Sequence, residues 1–339
     1  MKIIFRIIIL SLILLSCTNR NEDITYFNPN IEVVAVFTPR GIGDQSNTTG
    51  LIYKGLMKTT DSLGLSCRII VPFYFEEGAD SIIKLASNNQ SGRKRLIIST
   101  DPEYSYYLQE KAIEGNIIDT DSTKLMVIDG GFVHPNIYTV HVPYYGMMYK
   151  AGYIASQMSD VDSIRIYIAN ENYLYLQEGK NGFIDGFTSN RANTIDVNNL
   201  SIDSTDNISG FINRDFAYTQ YAPECNNRFD MVLPLCGEKV MGFLRYNRDF
   251  PESFYTIGVG ADMSFYSSDV PFSCVEHIDR VISTCIVEWH NNQLEHYRKF
   301  GLDEGWVDVA VSEKYKSQLE DFAQEIHSQA IEMEENYAK

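Results

Sequence analysis

The sequence predicts an α/β protein built from two doubly wound lobes of parallel sheet that are joined by several crossovers. Short apolar runs of strand length alternate with helical patterns up to residue 142, and the same alternation resumes from residue 143. Such alternation is typical of parallel sheets that helices cover. Polar or glycine-containing loops follow four of the apolar runs, and open α/β sheets bind ligands at that end of their strands. We therefore expect a ligand cleft between the two lobes.

The chain begins with residues that we expect to be removed. Lys2 and Arg6 flank the start of an apolar run that ends at Leu15. This pattern is typical of a secretion signal over residues 1–16, and the run is too short to span a bilayer. Its end, Leu-Leu-Ser-Cys17, resembles a bacterial lipobox, which implies cleavage before Cys17 and lipidation of the thiol. An ordinary signal peptide with a chance cysteine is the alternative. Polar residues 17–30 would then form a tether.

Composition excludes some partners. The formal net charge of −17 argues against nucleic acid or an anionic lipid surface, because both require cationic patches. The cysteines after residue 17 show no CxxC spacing and no clustering with histidine, so we expect no metal site and no cofactor. They leave open both buried free thiols and a disulfide that involves Cys225 or Cys236. These cysteines are Cys67, Cys225, Cys236, Cys274 and Cys285.

The first strand, loop and helix organise the predicted cleft. Residues 33–38 are continuously apolar, which fits a strand that helices cover on both faces. A loop over residues 40–49 follows, and Thr48 or Thr49 is expected to cap the next helix. This loop lies at the carboxyl end of its strand, where we expect ligand contacts.

We predict lobe 1 over residues 31–142 plus about 263–303, and lobe 2 over 143–262 plus about 304–339. A helix that starts at Pro102, with Asp101 as its cap, is expected in lobe 1. Further strands are predicted at 67–72, 95–99, 124–129, 137–142, 164–169, 194–197, 229–236 and 254–259. Further helices are predicted at 79–87, 145–158, 174–187 and 237–245. The last third is predicted as a long helix at 275–300, a short strand at 306–311 and one terminal helix at 314–337.

The sequence carries no signature of catalysis. It lacks the GxSxG, HExxH and P-loop patterns and any paired acid motif, and its six histidines are scattered. The remaining candidates are loop residues at strand ends, where turn chemistry alone would also favour glycine and aspartate. We therefore expect a binding protein rather than an enzyme.

Several segments resemble the basic membrane protein family, in the same order along nearly the whole chain after the leader. The first is Gly41-Ile-Gly-Asp-Gln-Ser46, which is followed by Tyr53-Lys-Gly-Leu56. Later segments are Leu96-Ile-Ile98 with Tyr104-Ser105, Val127-Ile-Asp-Gly130, Tyr149-Lys-Ala-Gly-Tyr153, Gly182-Phe-Ile-Asp-Gly186, Ile257-Gly-Val259 with Asp262, and Ser273 with Asp279.

The resemblance implies a fold and a function. Members are lipoproteins with a type I periplasmic-binding fold, and they include purine-nucleoside receptors of ABC importers. This chain would then be lipid-anchored through Cys17 in the cell envelope, in the periplasm or at the surface. It would bind a nucleoside-like or other small polar ligand by hinge closure and deliver it to an ABC permease.

Departures from the family pattern affect the ligand more than the fold. Asn47 stands where nucleoside-binding members place a stacking aromatic, Tyr106 where they place an acid, and Gly260 where they place an aspartate. Glu276 reverses the charge of a lysine that contacts the sugar. A second stacking aromatic is missing between residues 194 and 206. Either tyrosines from other loops replace these groups, or the scaffold serves another polar ligand; the candidate tyrosines are Tyr104, Tyr106, Tyr144, Tyr145 and Tyr173.

The resulting hypothesis names contacts from both lobes. Expected ligand contacts are Asp44, Asn47, Tyr104, Asp129, Tyr173, Gly237, Asp262 and Glu276. Asp44 and Asp262 would accept hydrogen bonds from hydroxyl groups, and Glu276 would favour a neutral or cationic ligand. Two alternatives stay open: a sensor or interaction lipoprotein that uses the fold without a permease, and an enzyme on the same scaffold.

Overall fold

The computed structural model describes residues 28–43, 47–87, 92–117, 120–129, 132–189, 193–201 and 208–337. The strands are β1 Asn28–Val36, β2 Leu65–Ile70, β3 Lys94–Ser99, β4 Thr123–Ile128, β5 Tyr138–His141, β6 Ser163–Ile168, β7 Thr194–Asn199, β8 Met231–Leu235, β9 Tyr255–Thr256, β10 Gly258–Gly260, β11 Phe272–Glu276, β12 Tyr297–Lys299 and β13 Val307–Val311. The longer helices are α1 Thr48–Leu63, α2 Phe75–Ser87, α3 Ser105–Ile113, α4 Tyr145–Gln157, α5 Leu174–Thr188, α6 Val240–Asp249, α7 Ile278–His290, α8 Lys316–Glu325 and α9 His327–Tyr337.

A six-stranded parallel sheet contains the first strands of the chain, in the order β12-β5-β4-β3-β1-β2. Strand β1 lies inside it, and its side chains alternate between two separate cores. Val33 and Ala35 pack on one side, whereas Val34 and Val36 pack on the other. The predicted strand with both faces covered is confirmed, because only a continuously apolar run can face two cores.

The second half of the chain forms a four-stranded parallel sheet in the order β7-β6-β8-β9. A small third sheet, β10-β11-β13, pairs β11 with β13 in the antiparallel direction. The strand predicted at 254–259 is therefore two strands, β9 and β10, in different sheets. The chain passes from one sheet to the other at Ile257, whose backbone N–H still bonds to Val232. The predicted α/β class with parallel sheets is confirmed.

The long helix predicted at 275–300 is wrong. The structure has strand β11, helix α7 and strand β12 in this region. Cys274 thus belongs to a strand in the centre of the small sheet, and Cys285 belongs to the helix. The error has a physical cause: β11 is buried between two neighbours, so its apolar residues are continuous with the apolar stripe of α7 and lengthen the apparent helical pattern.

Other elements differ in extent. The terminal helix is divided into α8 and α9, which meet at Ile326. A helical segment at 214–225, with a π-helical turn Ala217–Tyr221, was not predicted. The five described cysteines are free thiols, and all of them except Cys67 are buried. Of the two alternatives, this structure therefore has free thiols and no disulfide among these five cysteines.

Helices α4 and α5 pack against each other through glycines. A Cβ atom on Gly186 would lie 2.0 Å from the carbonyl oxygen of Tyr149, and one on Gly182 would lie 2.3 Å from that of Tyr145. From the other helix, a Cβ on Gly152 would lie 2.2 Å from the carbonyl oxygen of Phe183. Since real Cβ atoms never approach backbone this closely, only glycine permits the contact.

The end of the chain returns to both sheets. Strand β12 completes the edge of the six-stranded sheet, and α7 packs on α1, where Gly55 meets the backbone of Asp279. Helices α8 and α9 pack on α4. Lys299 of β12 forms an ion pair of 2.8 Å with Glu334 of α9. Among the helices that the structure describes, none combines the length and apolar character that a membrane span requires.

Candidate functional site

A cavity of about 110 Å³ lies between the six-stranded and the four-stranded sheets. The loop after β1, the start of α1 and the loop after β4 line it from one side. The end of β8, the first turn of α5 and Phe211 line it from the other, and the ends of β10 and β11 contribute Val259 and Glu276. The carboxyl ends of parallel strands thus converge on one space, as open α/β sheets require for ligand binding.

The cavity brings together part of the predicted site. Four predicted residues line it: Asn47, Asp129, Gly237 and Glu276. Asp44 falls outside the described residues. Three predicted residues do not belong to the described lining: Tyr104, Tyr173 and Asp262.

These three residues have other contacts. Tyr104 is fully buried beside the six-stranded sheet, where its hydroxyl donates to the carbonyl of Phe37 over 3.0 Å. Tyr173 is buried behind the lining and its ring contacts that of Tyr175. Asp262 is exposed, and its carboxylate accepts a hydrogen bond of 3.0 Å from the backbone of Ser264.

Asn47, and not Thr48 or Thr49, caps helix α1. Its side-chain oxygen accepts hydrogen bonds from the N–H of Gly50 at 2.9 Å and from the hydroxyl of Thr49 at 3.0 Å. A short amide side chain satisfies an unpaired N–H of the first helical turn. The predicted cap position, Thr48 or Thr49, was wrong by one or two residues, and the Thr48 hydroxyl donates to Glu276 instead.

Glu276 is a buried carboxylate at the end of β11, with 3% of its surface exposed. It accepts a hydrogen bond of 3.2 Å from the Thr48 hydroxyl and another from the Tyr144 hydroxyl. Burial raises the pKa of Glu276 to about 7, since removing a carboxylate from water disfavours its charged form. The charge of nearby Asp129 acts in the same direction, and the two hydroxyl donors oppose it.

Asp129 turns the chain at the end of β4. It has a φ of 50°, in the left-handed region, and its carboxylate accepts a hydrogen bond of 2.6 Å from the N–H of Val142. His141 Nδ1 lies 3.4 Å from the same carboxylate. Burial lowers the pKa of His141, but the hydrogen bond and charge of Asp129, together with the charge of Glu178, act against it, and the net effect raises the pKa. The carboxylate thus fixes the crossover before α4 as well as lining the cavity.

Sequence reasoning missed a buried ion cluster, which we define as Arg40, Asp101 and Glu103. The Arg40 guanidinium bonds Asp101 and lies 3.1 Å from Glu103. Asp101 stands at the predicted cap position, before a helical turn that starts at Pro102, but its carboxylate makes no cap hydrogen bond and instead accepts from the N–H of Thr38 at 3.0 Å. A signal was present: Arg40 follows β1 and Asp101 follows β3, and adjacent parallel strands bring such residues together.

The ion cluster also joins the two sides of the cavity. The hydroxyl of Tyr175, on α5, donates to Glu103 over 3.0 Å. The Arg40 guanidinium lies 4.3 Å from the centre of the Phe211 ring. Burial raises the pKa of Glu103 to about 7, although Arg40 lowers it in part. These contacts hold the structure in a conformation in which the two sides meet.

A cavity between parallel sheets, lined from both, is the architecture of two-lobed solute-binding proteins, and the comparisons with known proteins agree. The sequence profile described as ABC transporter substrate-binding protein PnrA-like matches residues 31–337. The chain therefore belongs to this family of ABC transporter substrate-binding proteins, which are not enzymes. The resemblance seen in the sequence is confirmed.

Solved structures share the fold at low sequence identity. A solute-binding protein of an ABC transporter system from Aeropyrum pernix K1 has a TM-score of 0.67 and 14% identity, over 91% of this chain and 85% of its own. A transcriptional activator of the comK gene from Bacillus halodurans has a TM-score of 0.66 and 17% identity, over 89% of this chain and 97% of its own. The glucose-galactose binding protein GanP from Geobacillus stearothermophilus has a TM-score of 0.60 and 14% identity, over 86% of this chain and 100% of its own. No curated protein matches the sequence.

Proposed function

We propose that this chain is the lipid-anchored, extracytoplasmic receptor of an ABC importer, and that it binds a nucleoside-like or other small polar solute by hinge closure. The observation that carries this proposal is the cavity lined from both sheets. A ligand that touches both sides stabilises the closed arrangement by its higher affinity for it. Membership of the family supports the importer and its permease as partners.

The two moving bodies would be the predicted lobes, 31–142 with about 263–303, and 143–262 with about 304–339. Strand β12 supports this division, since it belongs to the six-stranded sheet although it lies late in the sequence. Helices α8 and α9 support it too, because they pack on α4. The crossover at 142–144 and the small sheet β10-β11-β13, whose strands come from both predicted lobes, would act as the hinge.

The size of the cavity supports closure around a ligand. Its volume of about 110 Å³ is below the range of roughly 300–1,000 Å³ that is typical of ligand pockets. A solute of nucleoside size would therefore enter an open form and shift the population toward a closed one. The contacts of Tyr175 with Glu103 and of Arg40 with Phe211 are the ones that opening would break.

Aromatic side chains support a ligand with a flat or apolar face. Tyr144, Tyr175 and Phe211 all line the cavity, although none stands at the family's stacking positions. Of the tyrosines considered as replacements, Tyr144 belongs to the lining. Stacking on such rings contributes roughly 1–3 kcal/mol per base in nucleic-acid proteins, so these rings would favour a ligand that carries a base.

A thermal-shift screen of the full chain against nucleosides, bases, sugars and amino acids tests the binding function. A ligand at 100 times its Kd should stabilise the protein by about 2.7 kcal/mol. Phe211→Ala should weaken the binding of any hit by about 10-fold, as expected for a lost stacking contact. The matched control is Phe265→Ala, an exposed phenylalanine outside the lining, which should leave the affinity unchanged.

Silence across this screen would contradict the transport function and favour the alternative in which the fold signals to a protein partner. If Phe211→Ala leaves the affinity for a ligand found in the screen unchanged, that ligand binds outside this cavity. A nucleoside hit would mean that cavity aromatics replace the missing family positions. A hit restricted to another class would mean that the scaffold serves a different solute.

The lipid anchor has a separate test. Cys17→Ser should release the mature protein from the membrane fraction into the soluble fraction, because the thiol that would carry the lipid is gone. Metabolic labelling with a fatty acid should mark the wild-type chain and leave the variant unlabelled. The control is Cys67→Ser, which keeps Cys17 and should stay in the membrane fraction. Equal distribution of Cys17→Ser and wild type would contradict lipidation.

A further inference from the structure

The charge of the cavity is unbalanced. Among the described residues that line it, Arg40 is the one with a cationic side chain, whereas four carry carboxyl groups: Asp101, Asp129, Glu238 and Glu276. We propose that the solute carries a positive charge, an ammonium or guanidinium group that pairs with Glu276. This inference rests on the proposed solute-binding function and names the chemical class of its ligand.

Glu276 is the centre of the argument because it is buried without a counter-ion. No ion pair links it to a lysine or arginine in the part of the chain that the structure describes. Its hydrogen-bond donors are the neutral hydroxyls of Thr48 and Tyr144. A buried carboxylate normally requires a paired cation, and here the open side of the group faces the cavity. A ligand cation would occupy the missing position.

Arg40 does not supply that cation. Its guanidinium is held by two carboxylates of the ion cluster, Asp101 and Glu103, and by the hydroxyl of Thr38 at 3.1 Å. Two acids around one base leave a net negative charge there at pH 8, where Glu103 is mostly charged. The charges that line the cavity therefore favour cations over anions, and charges interact more strongly in a partly buried space than in bulk water.

The neighbouring rings suit the same ligand. Tyr144 bonds Glu276 through its hydroxyl, and its ring lies 5.6 Å from that of Tyr175 in an edge arrangement. Ammonium groups bind well where aromatic faces and a carboxylate meet, because the ring quadrupole adds to the charge. A metal ion is a poorer candidate, since no group of three or more His, Cys, Asp or Glu suited to a metal occurs among the described residues.

The pairing has a pH signature. The groups that act on Glu276 are Tyr144 and Thr48, which donate to it, and Asp129, which opposes its charge, while Cys274 lies on its own strand. With a pKa of about 7 in the empty cavity, Glu276 is mostly neutral at pH 6 and mostly charged at pH 8. A permanent cation binds only the charged form, so its affinity should rise about 10-fold over that interval. A neutral hydroxyl ligand should show a flat or opposite profile.

The experiment compares probes that differ in charge but little in shape. The pairs are choline with its uncharged carbon isostere dimethylbutanol, butylamine with butanol, and the 5′-amino derivative of adenosine with adenosine. Affinities for the full chain are measured by calorimetry at pH 6, 7 and 8 in amine-free buffers, because an amine buffer would compete. In at least one pair the charged member should bind about 10-fold tighter or more at pH 8, as expected for a desolvated charge pair.

Variants then assign the preference to Glu276. Glu276→Gln keeps the shape and an acceptor for Thr48 and Tyr144, and it should abolish both the preference for the charged member and the rise with pH. Asp321→Asn removes an equal charge from an exposed position on α8 and should change neither. Circular dichroism of each variant checks that it is folded before its affinity is compared.

Two results overturn the inference. One is a neutral member that binds as tightly as its charged partner at pH 8; this leaves the solute-binding function standing. The other is the failure of every charged probe to bind at millimolar concentration. If the broad screen also finds no ligand, the proposed function fails as well, whereas a neutral or anionic hit in that screen refutes the positive charge alone.

Discussion

Arg40→Met is expected to lower the free energy of unfolding by about 3–5 kcal/mol at pH 8, which is the usual cost of removing one partner from a buried ion pair. The substitution leaves Asp101 and Glu103, whose side chains are 2% and 0% exposed, without their cation. Methionine fills similar space, so the loss reports charge rather than volume. Chemical denaturation of both proteins measures it.

The loss should shrink at pH 5.5. Burial already raises the pKa of Glu103 to about 7 with Arg40 present, and removing Arg40 raises it further. A carboxyl group whose pKa is raised on folding contributes most stability at low pH and loses it as pH rises through the folded value. Neutralising Glu103 by protonation therefore costs the variant less free energy at pH 5.5 than at pH 8.

Two controls make this prediction specific. Arg248→Met removes an exposed arginine that pairs with the adjacent Asp249, and it should cost less than about 1 kcal/mol. Adding Glu103→Gln to Arg40→Met should restore part of the stability at pH 8. An equal loss at both pH values, or no rescue, would show that packing rather than charge explains the effect.

Gly186→Ala is expected to destabilise the protein by about 3 kcal/mol, the upper end of what overpacking costs. The new methyl group would lie 2.0 Å from the carbonyl oxygen of Tyr149 and 2.9 Å from the backbone nitrogen of Tyr153. Neither is a flexible side-chain end, so helices α4 and α5 must separate. The measurement is again chemical denaturation, with the slope m checked for two-state behaviour.

Gly179→Ala is the matched control on the same helix. Its Cβ would meet only ordinary contacts, the nearest at 3.6 Å, and alanine favours a helix over glycine by up to about 1 kcal/mol. This variant should be neutral or more stable than the wild type. Equal effects of the two substitutions would mean that helix propensity, and not the close approach of the helices, determines the outcome.

Local sequence patterns predicted the fold well where a strand is buried on both faces or where apolar residues recur with a regular period. The apolar run at the start of the chain could only be an inner strand, and the alternation that follows left few topologies. The prediction of one helix over 275–300 failed because a buried strand and an amphipathic helix follow each other there, with only His277 between them. Nothing local separates these two patterns; the difference is that β11 pairs with β10 and β13.

The site was predictable only in part. Three site residues lie at the ends of elements that converge on the cavity: Asn47 precedes α1, Asp129 follows β4 and Gly237 comes soon after β8. The order of the strands alone therefore brings them together. Tyr104 also follows a strand, but helical geometry turns its ring into the core. Arg40 was missed because a single arginine in a loop gives no local signal. Its importance depends on residues more than 60 positions later, and only the order of strands brings them together.

The return of the chain to its first sheet affects how the protein is made. Strand β12 and helix α7 lie near the end of the sequence, yet they complete the edge of the six-stranded sheet and cover α1. Contacts between distant segments form slowly, since the chain between them must first be closed into a loop. The first sheet therefore cannot be finished on the ribosome until almost the whole polypeptide has been synthesised. For a chain that we propose to be exported, this order would leave the first sheet incomplete while most of the polypeptide passes through a secretion channel.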